Sequence, residues 1–244
     1  LLTGYILGCA PGGNEESKIG RNSPDSVFVR LSEEFLEGYL AWRPQSATYL
    51  GVHEYDGKTK DYSKSSLNAE LARLKEFEQK LVAFASDSLS ERLNYDYRIL
   101  LSAIRQEIFS FENLGTYSEN PMTYSGSLDL NIYVQRDFAP LPDRMRYIIA
   151  MEQQAPAIFA AARENLSDSL AKPHVETAIQ IARGSADFLE NDLATALKEV
   201  KDDSLQKSFL QSNQLAVAEL RDFAAYLEKE KLPKAHNHYA IGKE

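Results

Sequence analysis

SPDSVFVRLSEEFLEGYLAWRPQSATYLGVHEYDG, residues 23–57, opens with the signals that start a helix. The Ser23 hydroxyl can accept from a first-turn N–H, Pro24 suits the first helical position, and Asp25 favours the positive end of the dipole. Phe28, Leu31, Phe35, Tyr39 and Trp42 follow at steps of three and four, so they line one face, while Glu33, Glu34 and Glu37 fall elsewhere. Pro44 stops the helix because it pushes Arg43 out of the α region. Gln45 to Leu50 have room for one or two further turns, with Gly51 as a left-handed cap.

The same periodicity continues outward. After a polar loop from Val52 to Ser63, with Asp56-Gly57 as its turn, a helix is predicted from Ser65 or Ser66 to about Ala85. Its core face is Leu67, Leu71, Leu74, Phe77, Leu81 and Phe84. Ser90 is the expected cap of the next helix, which carries Leu93, Tyr97, Leu100, Ile104, Ile108 and Phe111 and ends near Gly115; the two read as a hairpin. Thr116 to Leu141 lacks periodicity and holds the exposed-looking aromatics Tyr117, Tyr124, Tyr133 and Phe138, with a short helix near Leu128 to Val134. So long a segment either lines a cleft or packs across helix ends.

Pro142-Asp143 starts another helix, and Pro156 should end or kink it, with a second segment from Pro156 to Leu166. Ala157, Ala160, Ala161 and Ala162 thin the second piece for close approach. Pro173 opens a helix reading to Val200, with Gly184 set beside Ala178, Ala182 and Ala186 for close packing. Asp202 or Asp203 caps the last helix, lined by Phe209, Leu210, Ala216, Leu220, Phe223 and Leu227. No segment alternates as a strand does. The expected fold is all-α, an antiparallel array of about six to eight helices with one long irregular aromatic-rich loop.

Composition excludes whole classes. Lys and Arg number 27 against 36 Asp and Glu, a net charge of −9. Such a surface repels phosphate backbones, so nucleic acid is not a partner. No apolar run reaches the ~18 residues of a spanning helix. The single cysteine, Cys9, rules out an internal disulfide. Ile6-Leu7-Gly8-Cys9 resembles the bacterial lipobox, which makes Cys9 the candidate lipidation site. On this reading residues 1–8 are a signal peptide truncated at its front, residues 9–22 a flexible tether, and residues 23–244 the helical domain. The chain then sits in the bacterial cell envelope, held at the membrane by a lipid anchor. If Cys9 is incidental, a plain cytosolic helical domain is the alternative.

Active-site patterns are incomplete. His53-Glu54 begins like a zinc-binding helix motif, but Gly57 stands where the second histidine belongs, so a surface or loop-anchoring role is expected. His236-Asn237-His238 has no completing ligand nearby and reads as a solvated tail. His174 is expected at the surface. Ser125-Gly126-Ser127 lacks the frame of a nucleophile elbow. No catalytic, cofactor-binding or metal-binding residue is therefore assigned.

A resemblance accounts for that gap. Pro44-x-x-Ala47-Thr48-x-Leu50-Gly51-x-His53-x-Tyr55-Asp56 resembles the N-terminal signature of a bacterial family known as domain of unknown function 885. Asn120-Pro121-x-x-Tyr124, Arg136-Asp137-Phe138-Ala139-Pro140, Arg144, Pro156 and Ala162-Arg163-x-Asn165-Leu166 follow in the family's order. Members include lipoproteins and proteins regarded as zinc peptidases, and they are considerably longer. Their His-Glu-x-x-Pro-Gly-His motif lies in a C-terminal half beyond an Ile-Gly-x-Glu junction, which Ile241-Gly242-Lys243-Glu244 resembles. The resemblance implies the N-terminal helical half of a lipid-anchored zinc-dependent peptidase. This half would form part of a cleft for a peptide substrate, while the missing half supplies the zinc. The chain alone would be inactive. The alternative is a non-catalytic, lipid-tethered helical binding or scaffold protein.

Overall fold

Ser23 caps α1 (Pro24–Trp42) as its sequence predicts: the hydroxyl accepts from the Ser26 N–H at 3.2 Å. A computed structural model describes residues 23–239. Cys9, the tether and the Ile241-Gly242 junction lie outside that range. Phe28 and Phe35 are buried, which contributes roughly 2 kcal/mol each. Arg43 leaves the helical region at φ −119°, and Pro44 starts α2 (Pro44–Tyr49).

Residues 52–63 are less polar in role than expected. A 3-10 turn at His53–Tyr55 buries Tyr55, and Tyr62 is buried as well. The helix α3 (Lys64–Val82) begins earlier than predicted because Ser63, not Ser65 or Ser66, supplies the cap. It ends at Val82, with the expected stripe facing inward. Before α4 (Glu91–Glu112), Ser90 makes no side-chain cap bond; its N–H donates to Asp25 Oδ1 at 2.9 Å instead. The Arg105–Glu78 pair at 2.8 Å and the Tyr97 hydroxyl on the Leu81 carbonyl at 3.1 Å set α3 and α4 antiparallel.

The aromatic-rich segment is packed into the core, so Tyr124 and Tyr133 are not the exposed aromatics that their sequence context suggests. Two short helices, α5 (Met122–Ser125) and α6 (Ile132–Gln135), fold it inward. Tyr124 and Tyr133 are 0% and 1% exposed; Tyr117 and Phe138 are half-buried. Each buried hydroxyl finds a partner, so the rings can enter the core: Tyr124 donates to the Tyr117 carbonyl at 2.7 Å.

The prolines punctuate the rest. α7 (Leu141–Glu152) and α8 (Ala155–Asn165) meet at the break that Pro156 predicts. α8 buries Ala155, Ile158, Phe159 and Ala162, whereas Ala157 and Ala160 face outward, so the thin face is narrower than expected. α9 (Lys172–Phe188) passes through a π turn at Leu189–Leu193 into α10 (Ala194–Ala196) and ends near Val200. Gly184 does not mediate packing: a Cβ there would meet nothing within 4 Å. α11 (Asp203–Tyr226) is capped by Asp202, whose Oδ1 accepts from the Leu205 N–H at 3.0 Å. Leu210, placed on its core face from spacing, is 56% exposed.

Among the described residues there is no strand, only an isolated parallel bridge between Ala171 and His236. The described chain is thus all-α, with seven helices of eleven residues or more, α1, α3, α4, α7, α8, α9 and α11. It packs around two hydrophobic clusters. The larger unites α5 to α11; the smaller holds Phe28, Phe35, Leu74, Phe77, Leu81 and Ile104 of α1, α3 and α4.

A carboxylate-backed imidazole where two motif segments meet

The segment after α2 and the segment after α6 come together at one place. Gly51 (φ 85°) and Gly57 (φ 76°) bracket the 3-10 turn that holds His53. The His53 Nδ1 lies 3.0 Å from Asp56 Oδ2; the imidazole side chain is 41% exposed and the carboxylate 2%. A carboxylate only accepts, so Nδ1 carries the proton and Nε2 is the ring's other nitrogen. Phe138 stacks on the ring at 4.3 Å between centroids and 18° between planes. The second Asp56 oxygen, Oδ1, is buried without a protein partner. Below the dyad, the Gly57 N–H donates to the Tyr133 hydroxyl at 3.0 Å. Burial raises the Tyr133 hydroxyl above its ordinary range, against hydrogen bonds from Gly57 and Thr48 that lower it.

Held this way, His53 can accept a hydrogen bond or a proton through Nε2, or give one ligand to a metal. It is not a metal site by itself. Among the described residues, no group of three or more His, Cys, Asp and Glu stands close enough to hold an ion. His174 is half-buried, with Nδ1 unpartnered, where sequence placed it at the surface. His236 is pinned by backbone bonds to Leu170 and Lys172 at 3.0 and 2.8 Å, not part of a free tail; His238 is exposed.

Two other residues of the quoted motifs, Arg144 and Asn165, are architectural, as are Gln45 and Tyr49 between the motif positions. Arg144 is buried and donates to the carbonyls of Ala139, Tyr133 and Arg136 at 2.8, 2.8 and 3.1 Å, and to Asp137 at 2.8 Å. One guanidinium fork thereby ties the turn after α6 to α7. Asn165 clamps the Tyr62 carbonyl and the Tyr124 hydroxyl at 2.8 and 3.1 Å. Gln45 reaches the Ser127 carbonyl at 2.8 Å, and Tyr49 donates to Asp129 at 2.9 Å.

Buried charge gathers elsewhere. Arg43 pairs with Glu70 at 2.9 Å and Glu107 at 2.6 Å and lies 3.9 Å over the Tyr39 ring; Arg73 also holds Glu70. Beside it the Lys60 ammonium sits 4.3 Å over Trp42 and donates to the Tyr117 hydroxyl at 3.2 Å. Burial, then the Arg43 charge, pushes Lys60 down to about 8, against the pull of Glu107 and Glu70. Far from this group, Glu152 of α7 is fully buried and accepts from Ser212 at 2.5 Å and Asn213 at 3.0 Å. Asn213 also holds the Leu189 carbonyl at 3.0 Å, where the π turn starts. Burial pushes Glu152 up to about 7 although both hydrogen bonds lower it. Sequence reasoning passed over both carboxylates, yet a signal was there. Glu70 falls in the stripe of Leu67, Leu74 and Phe77, and Glu152 in that of Met145, Ile148 and Ile149, where a charge needs a partner.

One open cavity stands out on the other cluster. Between α1 and α4 runs an apolar trough of about 460 Å³, with Val29, Leu36, Ile99 and Leu100 among its walls and Glu33 and Asp96 in its lining.

A model of the family described as "Bacterial protein of unknown function (DUF885)" matches residues 44–244. A solved structure described as that of "a putative lipoprotein of unknown function" from Shewanella oneidensis shares the fold, with a TM-score of 0.74 at 24% identity. The likeness covers 82% of this chain and 37% of that one, so this chain spans well under half the length of that relative. No protein with a curated description matches.

Proposed function

The chain belongs to the bacterial DUF885 family, and on that premise we propose that it is the helical part of a lipid-anchored, zinc-dependent peptidase of the cell envelope. In this reading it forms one wall of a cleft for a peptide substrate. The observation that carries it is the His53–Asp56–Phe138 junction. Arg144 and Asn165 are consumed in holding the fold, whereas His53 keeps a partly exposed imidazole backed by a buried carboxylate. Its role would be to accept a hydrogen bond from the substrate backbone, with Phe138 fixing the ring plane. Zinc, when bound, would polarise a carbonyl and activate water. The described residues do not gather ligands for it, which in this reading come from the other half of the protein. Anchoring would depend on Cys9, which metabolic labelling with a palmitate analogue tests directly.

The decisive experiment uses the full-length protein with quenched-fluorescent peptides, with and without a chelator. We expect chelator-sensitive hydrolysis, and His53→Gln lowering kcat/KM about tenfold at unchanged zinc content. Absence of any chelator-sensitive hydrolysis by the unsubstituted protein overturns the reading. The second reading, a lipid-tethered helical binding or scaffold protein without catalysis, is favoured by the trough between α1 and α4.

A further inference from the structure

We propose that the trough between α1 and α4 is a docking site for an amphipathic helix of a separate polypeptide, one with Lys or Arg flanking its apolar face. Two observations lead there. The first is geometry. Asp25 meets Ser90, Phe28 packs on Tyr97 and Tyr39 meets Glu107, so α1 and α4 run in the same direction side by side. With α3 antiparallel beneath them, they make three helices of a four-helix arrangement, and the fourth position is the trough. From Phe28 to Tyr39 it extends ~17 Å at the helical rise, the length over which a bound helix presents anchors at i, i+3 or i+4, and i+7. Its walls are apolar and open: Leu36 is 50% exposed and Ile99 67%.

The second observation is charge. Glu33 and Asp96 line the trough, together with Glu107, which Arg43 already holds, and no Lys or Arg does. A basic helix meets the carboxylates of Glu33 and Asp96. A second copy of a chain with net charge −9 does not, and an acyl chain has nothing to offer them.

The test is fluorescence anisotropy of the full chain with a Leu/Lys amphipathic peptide about 18 residues long, five turns. The controls are a scrambled peptide and a Leu/Glu version. The expected result is saturable binding of the Leu/Lys helix that is weakened at least about tenfold by Ile99→Glu and by Leu36→Glu. Those substitutions make the surface more acidic, so non-specific attraction would strengthen, not weaken, the complex. Both side chains are largely exposed, so the fold tolerates them, and far-UV dichroism and melting verify it. Asp96→Lys should weaken the same peptide several-fold. Equal binding of the scrambled or Leu/Glu peptide, or no effect of either Glu substitution, overturns the proposal. It is also overturned if sedimentation shows a dimer that Ile99→Glu abolishes, or if phosphatidylcholine vesicles float the chain in an Ile99-dependent way. Those outcomes assign the trough to a second copy or to lipid.

Discussion

Replacing Glu152 with Gln should remove a pH dependence of stability that the buried carboxyl imposes. Its environment lifts it from an ordinary 4.5 to about 7, chiefly by burial. A group that binds its proton more tightly folded than unfolded contributes fully below about 4.5, and the contribution is lost as pH rises through about 7. At ~1.4 kcal/mol per pH unit, the full contribution is about 3 kcal/mol, of which about 2 kcal/mol disappears between pH 5.5 and 8.5. The substituted amide would keep the network. Its oxygen accepts from Asn213, its NH₂ donates to Ser212 Oγ, and the Ser212 proton turns to the Phe209 carbonyl, which already lies 3.1 Å away. Urea denaturation of both proteins at pH 5.5, 7 and 8.5 measures the effect. The stability of Glu152→Gln relative to the parent should rise by about 2 kcal/mol from pH 5.5 to 8.5, with other titrations cancelling in the comparison. A difference independent of pH would refute the account, because it would mean the carboxyl is not held neutral by its site.

Three further outcomes follow from the same structure. Arg144→Ala strips the donors from three carbonyls and should cost at least about 3 kcal/mol in urea denaturation; a loss under ~1 kcal/mol would deny the fork its tying role. Gly184→Ala adds a methyl into open space on a helix and should stabilise by up to ~1 kcal/mol, read as a rise in Tm; destabilisation would show a neighbour there. Gly57→Ala and Gly51→Ala separate backbone strain from crowding, since both have positive φ but only Gly57 faces Tyr147, at 3.1 Å from the added carbon. Alanine should cost about 1 kcal/mol at position 51 and at least ~2 kcal/mol at position 57, and equal losses would contradict the close approach.

Local chemistry made much of this molecule legible. The steps of three and four through Phe28, Phe35, Leu74, Leu81 and Phe223, the caps at Ser23 and Asp202, and the breaks at Pro44 and Pro156 all act within one or two turns, so a linear reading finds them. Periodicity fails where the chain is irregular. Tyr124 and Tyr133 carry hydroxyls, lie in a stretch broken by Pro121, Gly126 and Pro140, and look like surface residues until partners arrive from Tyr117 and Gly57.

The candidate site was legible only as separate pieces. His53 and Asp56 are neighbours in sequence, but Phe138 reaches them only after α5 and α6 have folded the intervening segment inward. Arg43 finds Glu107 across 64 residues, and Glu152 finds Ser212 across 60. The order of residues by itself determined an all-α chain, its stripes and its helix ends, because those depend on neighbours a few positions away. Tertiary structure alone decided which partners hold the carboxylates that fall in the stripes, which aromatics become core and where α1 and α4 leave a trough. Each of those depends on desolvation and pairing between groups that only packing brings into contact.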